Sequence, residues 1–130
     1  MTRINAGIKP AELPNNLLLA ELREIKRIPN MVCSGRAVVK DIPKKFTLGT
    51  GHVKFFYDKG AYTLNRYISL LAEARQRGLN VQSFASAWVD YPTHLHNDWE
   101  ETLEARELLK HRIEVERGFK LNSLIEDRLE

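Results

Sequence analysis

The sequence predicts an all-α fold, a compact single domain of three main helices joined by long loops. Three observations carry that expectation. Apolar residues recur at helical spacing over three separate stretches. Glycine or proline closes each stretch. No segment alternates apolar and polar residues cleanly enough for a half-buried strand. With 130 residues, 43% of them hydrophobic and 28% charged, the chain is of one-domain size and can bury a real core.

The first helix is expected from about Asn15 to Ile28. Pro14 sets its entrance, Asn15 can cap it, and Pro29-Asn30 disfavours continuation or kinks it. Pro10 and Pro14 make the preceding stretch a turn or a short helical lead-in. Residues 31–60 hold no sustained period. Gly35, Pro43, Gly49, Gly51 and Gly60 punctuate them, so a long connection containing a compact turn is expected. Two apolar runs there, Ala37-Val38-Val39 and Val53 to Tyr57, have strand length but neither alternates cleanly.

The second helix is expected from about Tyr62 to Arg77, with Leu64, Tyr67, Ile68, Leu71 and Ala74 along one face. Arg75 and Arg77 lie in its last turn, where the helix dipole favours cations, and Gly78 supplies the stop. Residues 79–99 read as a loop anchored by Trp88, Tyr91, Pro92 and Trp99. The third helix is expected from about Glu100 to Arg117, acidic at its start and closed by Gly118. Residues 119–130 either form a short final helix or fray. No repeat, low-complexity tract or linker interrupts the chain.

Composition narrows the function classes. No apolar run approaches the roughly 18 residues of a membrane span, and no charged-then-apolar leader suggests export. The single cysteine, Cys33, excludes an internal disulfide and fits a reducing cytoplasm. Between Val32 and Ser34 it reads as a half-buried structural thiol. The net charge of +3 conceals an asymmetry: residues 1–60 carry eleven Lys/Arg against five Asp/Glu, and residues 61–130 carry nine against twelve. A basic half on a small protein suits a polyanion such as nucleic acid. It suits plain solubility equally well.

Helical geometry singles out Glu24. At about 100° per residue, Leu17, Leu18, Leu22, Ile25 and Ile28 spread to one side of it, and Asn16, Arg23 and Arg27 to the other. Burial on the apolar side raises a carboxylate's pKa and a neighbouring cation lowers it, which makes Glu24 a candidate acid, base or charge stabiliser. The competing reading is an ordinary i,i+3 pair with Arg27, worth a few tenths of a kcal/mol. Arg23, Lys26 and Arg27 cluster beside Asn16 as phosphate contacts would, or form a solvated face.

Leu48-Gly-Thr-Gly-His-Val53 contains a Gly-x-Gly without the βαβ context of a dinucleotide site or the Gly-Lys-Ser/Thr of a P-loop. Its glycines suit a tight turn or a close backbone approach. His52 reads either as a phosphate contact or as a capped structural histidine. His94, His96 and His111 lack a paired cysteine and match no strong zinc spacing. At the start, Met1-Thr2-Arg3 has the small second residue that methionine aminopeptidases accept. Removal of Met1 exposes the Thr2 α-amine, whose pKa of about 7.7–8.0 leaves roughly a tenth or more unprotonated at neutral pH. Such an amine can form an imine with an electrophilic carbon.

These pieces together resemble the phage endonuclease V-type pyrimidine-dimer DNA glycosylases. They are Met1-Thr-Arg-Ile-Asn5, Leu19-Ala-Glu-Leu-Arg-Glu24 with Arg27, Leu48-Gly-Thr-Gly-His-Val53, Phe55-Phe-Tyr-Asp-Lys59 and Arg77-Gly-Leu-Asn80, in order over roughly residues 1–118. The resemblance implies one glycosylase-like domain over residues 1–130, with an N-terminal segment threaded between helices. It implies a glycosylase and AP lyase in which the Thr2 amine attacks C1′ and the imine promotes strand cleavage. Glu24 falls on the family's catalytic glutamate. Arg3, Arg23 and Arg27 fall on its DNA-binding arginines, and Arg112 matches one on the last helix; Lys26, His52 and Arg117 are placed with them as DNA contacts. The chemistry needs no metal or cofactor. The expected partner is double-stranded DNA containing a lesion, bent and with a nucleotide extruded. No membrane partner is expected, the protein is expected to be a monomer, and its place is the cytoplasm, the host's if the gene is phage-encoded.

Three positions depart from the family pattern. Leu17, about 20° from Glu24 on the helix, stands where relatives carry histidine. Leu22 replaces a larger aromatic or histidine. The C-terminal stretch from Lys120 to Glu130 lacks the aromatic-rich tail of the best-known member. Two alternatives therefore accompany the main expectation: a glycosylase of the same scaffold for another damaged or modified base, and a non-catalytic DNA-binding relative.

Overall fold

Pro14, with φ at −59°, turns the chain into helix α1 (Asn15–Glu24) in the computed structural model, which describes residues 3–122. Helix α1 is shorter than expected. It gives way at Ile25-Lys26, and a second helix, α2 (Arg27–Cys33), begins at once. Pro29 falls in the first turn of α2, where a missing N–H breaks no intrahelical bond. The proline therefore opens a helix instead of closing one. Ile25 and Ile28 are both fully buried, so the apolar stripe runs on across the break.

The long connection after α2 contains one short helix, α3 (His52–Phe55), entered through Gly51 at φ +91°. The expected compact turn is there, in the left-handed backbone that glycine allows at low cost. Among the described residues there is no strand: residues 37–39 are irregular, and the apolar run at 53–57 lies on α3 and the turn after it. Helix α4 (Gly60–Gln76) is the longest, and Gly78 follows it at φ +80°. Its inner face carries Tyr62, Thr63, Arg66, Tyr67, Leu70, Leu71 and Ala74. The face is rotated from the expected one, leaving Ile68 50% exposed and drawing Arg66 inside. Residues 79–99 form a loop with two short 3₁₀ turns, pinned by buried Trp88 and Tyr91. Helix α5 (Leu103–His111) starts later than expected because Thr102 caps it, accepting the Ala105 N–H at 3.1 Å. It then widens into a π-helical turn, Arg112–Glu116, before Gly118 at φ +73°. The stretch 119–130, read as a short final helix or a frayed end, lies largely outside the described residues.

Helix α1 packs on α4, and the N-terminal segment runs between these helices and α5. Ile4, Ala6 and Ile8 are fully buried. The segment's polar groups must be satisfied inside, and each helix supplies a partner. Glu21 of α1 accepts from Asn5 Nδ2 at 2.8 Å, Arg66 of α4 donates to the Ile8 carbonyl at 2.7 Å, and Arg106 of α5 donates to the Gly7 carbonyl at 3.0 Å. Gly7 adopts φ +83°, and a Cβ there would lie 2.8 Å from Arg106 Cβ. The threading expected from the family resemblance is present. No described helix is long and apolar enough to cross a membrane.

Candidate active-site cleft

Two carboxylates one turn apart on α1 sit in different surroundings. Glu21 is sealed: its side chain is wholly buried, and Arg66 donates to it through Nε at 2.8 Å and Nη2 at 3.0 Å. Burial disfavours the Arg66 charge, but the Glu21 carboxylate, helped by Tyr62 and Glu101, outweighs it and holds the guanidinium above its ordinary range. Glu24 is a third exposed and lies 3.3 Å from Arg27 Nη1. The ordinary i,i+3 pair is therefore formed. Glu24 also lines a cleft of about 150 Å³ with Arg3, Asn5, Leu17, Ala20, Glu21, Ile113 and Arg117.

The cleft gathers cations from both ends of the chain. Burial, then repulsion from Arg112 and Arg117, lowers the pKa of Arg3, while Glu116 acts in the opposite sense. Arg112 Nε is buried without a hydrogen-bond partner among the described residues and stands 3.8 Å from Glu116. Like charges crowded around one opening make it attractive to an anion.

Of the predicted site residues, Arg3, Glu24 and Arg117 share this cleft, and Arg112 acts on Arg3 beside it. Arg23 and Lys26 do not line it. They border a separate groove of about 250 Å³ with Leu19, Leu22, Tyr67, Val81, Gln82 and Phe84, where Lys26 Nζ lies 4.0 Å from the Phe84 ring centroid. Arg27 projects outward, its side chain 64% exposed. Thr2 lies outside the described residues.

His52 requires a correction. It is 2% exposed and both ring nitrogens are used inside the protein, so it offers none to a phosphate. It is the structural histidine of the two readings. His94 is exposed, His96 packs against Tyr91, and His111 stands 3.8 Å from Glu116. Cys33 is half-buried, and burial, then Asp90, raises its pKa, which keeps the thiol protonated and inert.

Asn5 and Glu21 line the cleft although sequence reasoning did not select them. For Glu21 a signal exists. It falls in register with Leu17, Leu18, Leu22 and Ile25, within the apolar stripe, where a charge needs a buried partner. Arg66 occupies the equivalent place on α4, among Tyr62, Thr63, Tyr67 and Leu70.

Fold and cleft together define a small helical protein with a carboxylate set among arginines, a pattern suited to work on a polyanion. The family is more specific. Residues 1–87 match the family described as pyrimidine dimer DNA glycosylase, and the chain belongs to that family of DNA repair enzymes.

Proposed function

We propose that the chain is a DNA repair N-glycosylase with AP lyase activity that excises cis-syn cyclobutane pyrimidine dimers. After Met1 is removed, the unprotonated Thr2 amine adds to C1′ of the damaged nucleotide. The glycosidic C–N bond breaks and the base departs with its electron pair. The sugar ring opens to an imine, loss of a 2′ proton follows, and β-elimination breaks the C3′–O bond. Glu24 stabilises the cationic sugar and assists the proton transfers. Arg3, Arg112 and Arg117 hold phosphates near the cleft, and Arg23, Lys26 and Arg27 contact flanking phosphates.

One observation carries this reading: Glu24 and Arg3 line the same cleft, and Arg3 directly follows Thr2 in the chain. The test is borohydride trapping on DNA holding a dimer or an abasic site. Processed protein should give a covalent complex that disappears when its amine is blocked; no adduct with either DNA would falsify the lyase step. A second reading, a glycosylase for another damaged or modified base, is favoured by Leu17, an apolar side chain lining the cleft. Base release from modified-base DNA exceeding that from irradiated DNA would favour this second reading.

A further inference from the structure

Ile4 lies between two residues that line the cleft, Arg3 and Asn5, and is itself fully buried. Its N–H donates to His52 Nε2 at 2.8 Å. On the other side of the ring, Nδ1 stands 2.8 Å from the Thr47 carbonyl. A carbonyl only accepts, so Nδ1 carries the proton and Nε2 is left as the acceptor. The Thr47 carbonyl thus selects the one neutral tautomer that can receive the Ile4 N–H.

The imidazole is fixed as well as oriented. Phe46 and Phe56 meet it edge-on with centroids at 5.3 and 5.5 Å, and Gly51 turns the chain so that His52 opens α3. The charged groups that act on it are Arg3 from the N-terminal segment, Glu21 of α1 and Arg112 of the π-helical turn. Asn5, the next residue, is held by Glu21 at 2.8 Å. Two successive residues are therefore anchored from different helices, α3 and α1, immediately after Arg3.

We propose that His52 is a positioning residue: by accepting the Ile4 N–H it fixes the backbone that carries Arg3, the residue following Thr2 in sequence, into the cleft lined by Glu24. This role rests on Thr2 being the nucleophile. The Gly-Thr-Gly-His run then serves as the mount for an internal acceptor, not as a phosphate contact.

Two amide variants separate the two nitrogens. In His52→Gln, Oε1 can stand in for Nε2 and reach Ile4. In His52→Asn, the shorter amide can keep the Thr47 contact but falls short of Ile4. Hydrogen exchange of the DNA-free protein should show the Ile4 amide opening about tenfold faster or more in His52→Asn and near the native rate in His52→Gln, with Leu70 unchanged in both. Under saturating abasic-site DNA, where any loss of the Arg3 phosphate contact is overcome by concentration, imine trapping should slow roughly 10- to 100-fold in His52→Asn and recover in His52→Gln. Unchanged Ile4 exchange in His52→Asn overturns the proposal, as does faster exchange with native trapping. Equal slowing in both variants together with faster Leu70 exchange also overturns it, because the role is then general stability. Absence of trapping in the native protein strikes the proposed function instead, and is recognisable because it does not depend on the residue at 52.

Discussion

Glu21 and Glu24 show how one turn of helix separates a buried ion pair from a carboxylate open to a cleft. Glu21 borders the cleft, but its carboxylate is buried against Arg66 and Asn5. Replacing Glu21 by Gln leaves the buried Arg66 guanidinium with only the more exposed Glu101 carboxylate at 3.7 Å, and breaking a buried pair from one side costs up to about 3–5 kcal/mol. The loss should appear as a lower urea midpoint with an unchanged slope. Glu24 has the opposite profile, a third exposed and bordering the cleft. Glu24→Gln should fold normally, bind lesion DNA within about threefold of the native protein and lose base release by roughly 10²-fold or more. Normal base release by this variant would make Glu24 a surface ion-pair residue and nothing else.

At the scale of elements, the N-terminal segment is the unusual one, since it crosses the interior with little secondary structure of its own. Its passage depends on Gly7, where the left-handed φ and the close approach of Arg106 act together. Gly35 is also left-handed, at φ +78°, but a Cβ there would meet no atom within 4 Å. Gly35→Ala should cost about 1 kcal/mol, the conformational penalty alone. Gly7→Ala should cost about 2–3 kcal/mol more, because α5 must shift as well. Thermal unfolding of the two variants separates the contributions, and equal losses would mean that the segment is not clamped. Much of this architecture was legible in the chain: three helical stretches, the glycine stops after the second and third, and the aromatic anchors at Trp88 and Tyr91 follow from local periodicity and backbone preference. Pro29 misled because proline is compatible with a helix's first turn as well as with its end. Ile68 misled because a stripe read from apolar residues alone omits Arg66, and that arginine turns the face of α4 inward. Glu24 and Arg3 could be selected individually, but their common cleft depends on threading that no local pattern encodes. His52 remained open for the same reason, since its partner Ile4 is distant in the chain and Thr47 lies in an irregular stretch.

Across the whole molecule, the charge asymmetry becomes a layout. Basic groups crowd the cleft and the outer flank of α1, while interior charges are neutralised in pairs, Arg66 with Glu21 and Arg106 with Glu12. Two shifted groups should give acid unfolding two stages. Burial lowers the His52 pKa below its ordinary 6.5, so the unfolded chain takes up a proton before the folded one. Stability is then full above that value and falls as the pH drops through it toward the folded value. Hydrogen bonds from Arg106 lower the Glu12 pKa below 4.5, so its contribution is present above 4.5 and lost as the pH falls through the folded value. Melting temperature measured against pH should decline first below about 6.5, then again in the carboxylate range; His52→Gln should lack the upper stage.

The central claim concerns one atom, the Thr2 nitrogen. Its most direct test is to trap the imine on abasic-site DNA with borohydride, digest the adduct and locate the sugar by mass spectrometry. The sugar fragment should sit on the N-terminal peptide beginning with Thr2, with Met1 absent. An adduct on a lysine such as Lys26 or Lys59, or a retained Met1 on active protein, would contradict the assignment.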